Sequence, residues 1–328
     1  MTAGAVVTGA SGFIGSAFVR RFAERGRVVH GLDLAPSGAA AVQATGGRFV
    51  TGAVTDADAV RRLLEGCDVV VHTAAMVAES GHWPDFVRVN AHAPRDVALA
   101  ARAAGVRSVV HLSSVMVHGF DYPDGVGEDG PLDPAGNPYC WTKILSERAV
   151  LPLHERGVLD VYVVRPGDVY GPGSVPWTLR PVRHLRSRTF LYVDPEHALV
   201  NHVYVENLLD AVERLLAEGA AGRPYTVTDG VRTLAHDFFG HYQRMLGVRW
   251  VPSLSAEAAL TMARAGRGLP RRWRDALDLE RESIRYLMRR GQYATARVRD
   301  LGWSPRVDLE EGMARTESWL ASQGLLAS

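Results

Sequence analysis

The sequence predicts an α/β protein, a doubly wound parallel sheet with a smaller, mostly helical carboxyl-terminal lobe. Three observations predict it. Short apolar runs alternate with amphipathic stretches as far as Pro166, the pattern of parallel strands covered by helices on both faces. A glycine-rich turn follows the first of those runs. Around Pro166 a proline- and glycine-rich stretch, RPGDVYGPGSVP, breaks the alternation and opens a region with fewer strands.

In chain order, AGAVVT (residues 3–8) is a strand ending at Gly9, and FIGSAFVRRFAERG is an amphipathic helix. RVVHGLDL and GRFVTGAV are strands, DADAVRRLLEG is a helix and CDVVVHTAA a strand. RDVALAARAAG forms a helix before the strand VRSVVHLSS, and YCWTKILSERAVLPLHERG forms a helix before the strand VLDVYVVRPG. ALVNHVYVENLLDAVERLLAEG reads as one more strand and helix returning to the first domain. From about residue 224 the chain is mostly helical, and Asp308 is placed to cap the last helix, DLEEGMARTESWLASQG. The expected division is a domain of residues 1–165, rejoined by 200–222, and a lobe of 166–199 and 223–328. The lobe lies over the carboxyl edge of the sheet, where such folds bind ligands.

With 328 residues, 47% of them hydrophobic, the chain can bury a large core. A formal net charge of +1 demands neither a nucleic acid nor a membrane as partner. Two cysteines, Cys67 and Cys140, fit a reduced intracellular protein better than a disulfide framework. No basic-then-apolar signal pattern opens the sequence, and no apolar run approaches the roughly 20 residues that span a bilayer. A soluble, cytoplasmic protein is expected. The twelve histidines form no H-E-x-x-H pattern or Cys/His cluster, so no metal site is expected.

VVTGASGFIG sets Gly9, Gly12 and Gly15 in the order G-x-x-G-x-x-G between a strand and a helix. That arrangement supplies a tight turn, close backbone approach to a pyrophosphate, and amides at a helix N-terminus facing the anion. Asp33 ends the second strand about 20 residues on, where a carboxylate binds a ribose hydroxyl. It would repel a 2′-phosphate, and the following LAPSG offers no arginine to receive one, so NAD is expected rather than NADP.

The chain holds 36 arginines and a single lysine, Lys143, four residues after Tyr139. On a helix the two share one face. An ammonium beside a phenol favours the phenolate and brings its pKa, near 10 when unperturbed, closer to the range useful for proton transfer. Lysine's compact charge can serve tyrosine and a ribose hydroxyl together, which arginine's fork does not replace. Upstream, VVHLSSVMVHG brings Ser113 and Ser114 to a strand end, able to donate to a substrate oxygen.

TGASGFIG, HTAA (72–75), LSS (112–114), YCWTK and RPGDVYGPG occur in the order and at the spacing of the short-chain dehydrogenases/reductases, extended branch. The chain is identified as a member of that family, strongly to about residue 210 and loosely beyond. The resemblance implies a Rossmann-type sheet that binds NAD and a lobe that binds substrate. It implies Tyr139 as acid/base, Lys143 as its tuner and ribose ligand, and Ser114, aligned on Gly119, as the group polarising the reacting oxygen. Asn90 matches an asparagine that positions the lysine through water. Gly9, Ser11, Gly12, Phe13, Ile14, Gly15, Asp33, Val54, His72, Ala74, Ala75, Tyr139, Lys143 and Pro166 form the implied cofactor set. His118, Asp168, Asn201 and His202 are the implied substrate-facing residues. Family members commonly dimerise through the helix carrying Tyr-x-x-x-Lys and its neighbour, so a homodimer is expected.

Two departures stand out. Ala53 occupies the place of the usual adenine-binding Asp, so backbone or another group must hold adenine. NAHAP replaces N-x-x-G-T, and Pro94 should force a helix start or kink.

Within the branch, Val200 stands where nucleotide-sugar epimerases carry a phosphate-binding arginine, and NHVYVEN resembles the 3β-hydroxysteroid dehydrogenases. Asp168 stands where epimerases place Asn, and a carboxylate facing pyrophosphate is unfavourable. Dehydratases add an Asp-Glu pair after the catalytic serine, and SSVMVHG has neither. These features favour NAD-linked interconversion of a secondary alcohol and a ketone on a bulky substrate. The alternative is a nucleotide-sugar 4-epimerase with retained NAD. Eleven arginines against four acids over residues 264–299 read as a solvated face, or else as a holder of an anionic substrate group. His72 and His111 are expected to be fixed by backbone bonds.

Overall fold

Seven strands form one parallel sheet: β1 (Gly4–Thr8), β2 (Val29–Asp33), β3 (Phe49–Thr51), β4 (Cys67–His72), β5 (Ser108–Leu112), β6 (Asp160–Pro166) and β7 (Arg223–Val227). Their order across the sheet is 3-2-1-4-5-6-7. The structure is a computed structural model and describes residues 3–77, 81–265 and 281–326. Successive residues of β1 point to opposite faces. Ala5 and Val7 join Phe18 and Phe22 of the helix Phe13–Glu24 and Leu208 and Val212 of the helix Val205–Glu218. Val6 joins Val60, Leu63, Val97 and Ala101 beneath the other face. Both faces are dry, which explains strands that are apolar throughout rather than alternating.

The expected elements form, with ends trimmed by a residue or several. Pro94 falls in the first turn of Ala93–Ala103, directly after a π-helical stretch, Val87–His92, so the continuous helix changes pitch where the proline cannot donate. Asp308 caps Leu309–Ser322 by accepting from the Glu311 amide at 2.9 Å.

One boundary differs. The lobe does not begin at residue 223, because Arg223–Val227 pairs in parallel with β6 and completes the sheet. RPYTV is short and contains a proline, which a sheet accepts at an edge. The expected strand at 199–204 splits instead. Leu199–Val200 pairs with Thr233–Leu234, and His202–Tyr204 pairs with Asp168–Tyr170, all outside the main sheet.

Candidate active site

Gly9 has φ +74°, and a Cβ there would sit 2.7 Å from Thr73 Oγ1. A Cβ on Gly15 would collide with the Gly9 carbonyl. Glycine is therefore required at both positions for the turn to close against the helix. The helix Phe13–Glu24 begins at Gly12 with no side-chain cap, leaving the amides of its first turn, which includes Phe13, Ile14 and Gly15, for an anion. Asp33 Oδ2 accepts from the Ser11 amide at 3.0 Å, and Oδ1 from the Ala35 amide at 3.0 Å. The carboxylate thus sits between the glycine turn and the end of β2. Thr73 Oγ1 donates to the Thr8 carbonyl at 2.7 Å and brings Ala74 and Ala75 beside the turn. Val54 follows β3 and Pro166 ends β6. This cradle, which a single Cβ would fill, fits a dinucleotide pyrophosphate, with Asp33 at the ribose position.

Asn137 starts the helix Pro138–Val150 by accepting from the Tyr139 amide at 2.9 Å and the Cys140 amide at 3.1 Å, with Pro138 in the first turn. The register puts Tyr139 and Lys143 on one face, with Nζ 5.6 Å from the phenol ring centroid. Lys143, 3% exposed, donates from Nζ to the Leu112 carbonyl at 2.6 Å. Burial lowers its pKa to about 8, opposed by Glu147.

Ser114 caps the following turn, accepting from the Met116 amide at 3.2 Å, and its hydroxyl is near enough to Tyr139 to favour the phenolate. Ser113 donates instead to the Glu147 carboxylate. The two serines are thereby separated, and it is Ser114 that meets the tyrosine. The expected downward pull of Lys143 on Tyr139 is not what dominates. Burial pushes the phenol well above its ordinary value, and the Ser114 hydroxyl opposes that. Asn90 is buried, with Oδ1 accepting from Met76 N at 2.7 Å and Nδ2 donating to Met76 O at 2.9 Å and Thr142 Oγ1 at 3.2 Å. It reaches the helix through Thr142, the residue before Lys143.

The histidines are fixed by hydroxyls rather than backbone. His72 Nδ1 lies 2.8 Å from Thr8 Oγ1, His111 Nε2 lies 2.8 Å from Ser146 Oγ, and the two rings stack at 5.5 Å. Burial, then the charge of Lys143, lowers His72 to about 3 and holds His111 well below an ordinary imidazole. His72 is therefore a neutral wall under the site.

The four implied substrate-facing residues require correction, because each is buried and already partnered. His118 Nδ1 donates to Pro131 O at 2.8 Å and Nε2 faces Arg165 Nη1 at 3.3 Å. His202 bridges Asp229 and Thr233, both at 2.9 Å. Asn201 Nδ2 donates to Gly291 O at 3.0 Å. Asp168, 0% exposed, accepts from both the Asn201 amide at 2.9 Å and Arg289 Nη2 at 2.8 Å, and also from Tyr286. It therefore does not face a pyrophosphate.

Sequence reasoning missed Arg289, Tyr286, Glu147 and Arg165. Glu147 follows Lys143 by four residues, as Lys143 follows Tyr139, and that repeat was the available signal. Of the arginine-rich stretch, residues 266–280 lie outside the described residues. Arg289 pairs with Asp168, Arg290 with Asp194, and Arg297 with Asp129, while Arg299 donates to Asp229 O at 3.1 Å. Among the described residues these arginines are tied within the protein, with the Arg290 side chain still 59% exposed.

Known proteins agree with this geometry. A family model described as the NAD dependent epimerase/dehydratase family matches residues 5–228. A dTDP-glucose 4,6-dehydratase of Streptomyces griseus is 31% identical, covering 97% of this chain and 94% of that protein. A 4-hydroxy-2-methyl-3-oxo-4-farnesyl-3,4-dihydroquinoline-1-oxide ketoreductase of Stigmatella aurantiaca is 28% identical, covering 98% of both. The crystal structure of DesIV, a dTDP-glucose 4,6-dehydratase from Streptomyces venezuelae with NAD and TYD bound, superposes with a TM-score of 0.75 at 26% identity, covering 97% of each chain. Among the described residues no helix is long and apolar enough to cross a membrane. With the glycine cradle, Asp33 and the Ser114–Tyr139–Lys143 constellation on one sheet edge, the chain belongs to the NAD-dependent epimerase/dehydratase family of extended short-chain dehydrogenases/reductases.

Proposed function

We propose that this enzyme interconverts a secondary alcohol and a ketone on a bulky, mostly apolar substrate. The observation carrying this reading is the Asp168–Arg289 pair, closed off from solvent beside Tyr286 and Tyr293, with the Arg289 guanidinium 3.7 Å from the Tyr286 ring centroid. It removes a cation from the side facing the sheet edge, where a nucleotide diphosphate needs one. Val200 is buried and apolar. Phe120, Tyr286 and Trp177 meet as an aromatic group between the Ser114 turn and the lobe, at centroid distances of 6.0 and 5.9 Å.

Bound NAD supplies the acceptor and donor of hydride. Ser114 Oγ holds the substrate oxygen, and Tyr139 gives its phenol proton to that oxygen in reduction or, as the phenolate, takes the hydroxyl proton in oxidation. Lys143 contributes positive charge 5.6 Å from the phenol ring and a donor for the ribose. Asn90 fixes the backbone at Met76 against this helix. Asp33 receives the adenosine ribose. Residues 166–199 and the chain beyond β7 form the lobe that reads the substrate. Two copies associate through the helix Pro138–Val150, where Trp141 is 44% exposed and meets the exposed Trp83 edge-on at 6.5 Å.

A sugar-nucleotide 4-epimerase is the second reading, favoured by 31% identity to a UDP-glucose 4-epimerase of Mycolicibacterium smegmatis over 95% of this chain. Dehydration is disfavoured because Val115 and Met116, not acids, follow Ser114. Incubation with NAD and a panel of sterols, UDP-sugars and dTDP-sugars, following NADH absorbance and sugar stereochemistry together, decides between them. Net NADH from a sterol-like alcohol supports the proposal. Epimerised sugar without net NADH overturns it.

A further inference from the structure

One turn after Lys143 on the same helix, Glu147 is 2% exposed and carries a carboxylate with three donors. Ser113 Oγ and Arg165 Nε (2.9 Å) reach Oε1, and Arg165 Nη2 (2.6 Å) reaches Oε2. Arg165, from β6 and 3% exposed, gives Nη1 to the Glu128 carbonyl at 2.8 Å and to His118 Nε2. A carbonyl only accepts, so the bond from His118 Nδ1 to Pro131 O fixes the proton on Nδ1. Nε2 is then the lone pair that receives Arg165, and the imidazole is neutral.

Burying such a pair does little for stability, because desolvation offsets the attraction. Its position suggests another use. We propose that Glu147 is a positioning residue that keeps the buried Lys143 in its ammonium form, with Arg165 and Ser113 holding the carboxylate in place.

The groups facing Lys143 are few. Its own helix contributes Tyr139 and Glu147, the latter paired with Arg165 of β6. Strands β4 and β5 contribute His72 and His111, and the end of β5 contributes the Leu112 carbonyl. Both histidines are held neutral, so Glu147 is the anion among the described residues that offsets the cost of burying this ammonium. Burial alone drives the lysine down, and Glu147 is what opposes it. The inference rests on the role of Lys143 given under the proposed function.

Lys143 is the sole lysine, so protein grown on lysine labelled with 13C at Cε gives one lysine resonance that reports its protonation directly. The full chain is used, without substrate. The expected midpoint is about 8, and in Glu147→Gln it falls by about one pH unit or more. Glu147→Gln leaves Arg165 unbalanced and can fail to fold. The double variant Glu147→Gln with Arg165→Gln removes both charges, keeps two side chains able to hydrogen-bond, and shows a smaller fall in the same direction, because a cation is lost with the anion. A double-variant midpoint within about 0.2 units of the parent, or above it, overturns the proposal. Turnover of Tyr139→Phe separates the two ideas. A shifted midpoint with an active Tyr139→Phe sinks the proposed mechanism alone, and an unshifted midpoint with an inactive Tyr139→Phe sinks the Glu147 assignment alone.

Discussion

Lys143 Nζ donates to the Leu112 carbonyl at 2.6 Å, so the lysine ties its helix to the end of β5 two residues before Ser114. A compact ammonium fits between a strand end and a helix face where a planar guanidinium does not. The bond gives a structural reason for an amine at position 143 in a chain that otherwise uses arginine.

Tyr139→Phe lowers turnover by about two to four orders of magnitude while NAD affinity changes little, because a proton-transfer group alone is removed. Lys143→Arg loses nearly as much. Steady-state kinetics with a turned-over alcohol, and NAD titration of each variant, check both. Near-normal turnover in Lys143→Arg contradicts the role given to the lysine.

Lys143→Met is more stable than the parent at pH 7. The folded-state pKa, about 8, lies below the ordinary 10.5, so the unfolded chain binds the proton more tightly and stability rises as pH climbs between those values. Below pH 8 the buried ammonium costs up to about 3 kcal/mol, reduced by its bond to Leu112 O. Urea unfolding of both proteins at pH 7 and pH 10 measures it, and the gap should narrow at pH 10.

Much of this site was legible because a few residues must lie close in sequence to work. Gly9, Gly12 and Gly15 share one turn, and Tyr139 and Lys143 share one helix face. Asp168 and Arg289, or Glu147 and Arg165, meet only after the chain has folded across the sheet, and no local period announces them. That is why Asp168, His118, Asn201 and His202 were expected near substrate, when all four are satisfied internally. β7 was hidden for a similar reason, since RPYTV becomes a strand through pairing with β6 rather than by pattern.

Asp33→Ala narrows the preference for NAD over NADP and also weakens binding of both. The carboxylate holds the Ser11 and Ala35 amides, so its loss loosens the glycine turn itself. Fluorescence titration with the two dinucleotides reads the ratio. Tighter NADP than NAD binding by the parent refutes the role given to Asp33.

Acid destabilises the protein through His72 and His111. Both titrate below the free imidazole value of 6.5, His72 at about 3, so the unfolded state takes up protons first and stability falls as pH drops below 6.5. By pH 5 the loss from His72 is about 2 kcal/mol, and His111 adds to it in the same direction. Denaturation midpoints at pH 7.5 and pH 5 test it, and His111→Leu should flatten the fall.

Sedimentation at micromolar concentration should give a dimer for the parent and a larger monomer fraction for Trp141→Glu, which puts a charge on the exposed face of the helix Pro138–Val150. A monomeric parent removes the proposed association.

The pairing of β7 with β6, from Tyr162 against Arg223 to Pro166 against Val227, sets an order on synthesis. A nascent chain that has emerged only as far as residue 222 carries β6 as an open, apolar edge, with Val161, Val163 and Val164 flanking unpaired backbone groups. The intervening segments, which add no strand to the sheet, must be made before that edge can close. The newborn protein therefore passes through a stage in which its most adhesive strand is uncovered, when a chaperone or a neighbouring chain can reach it.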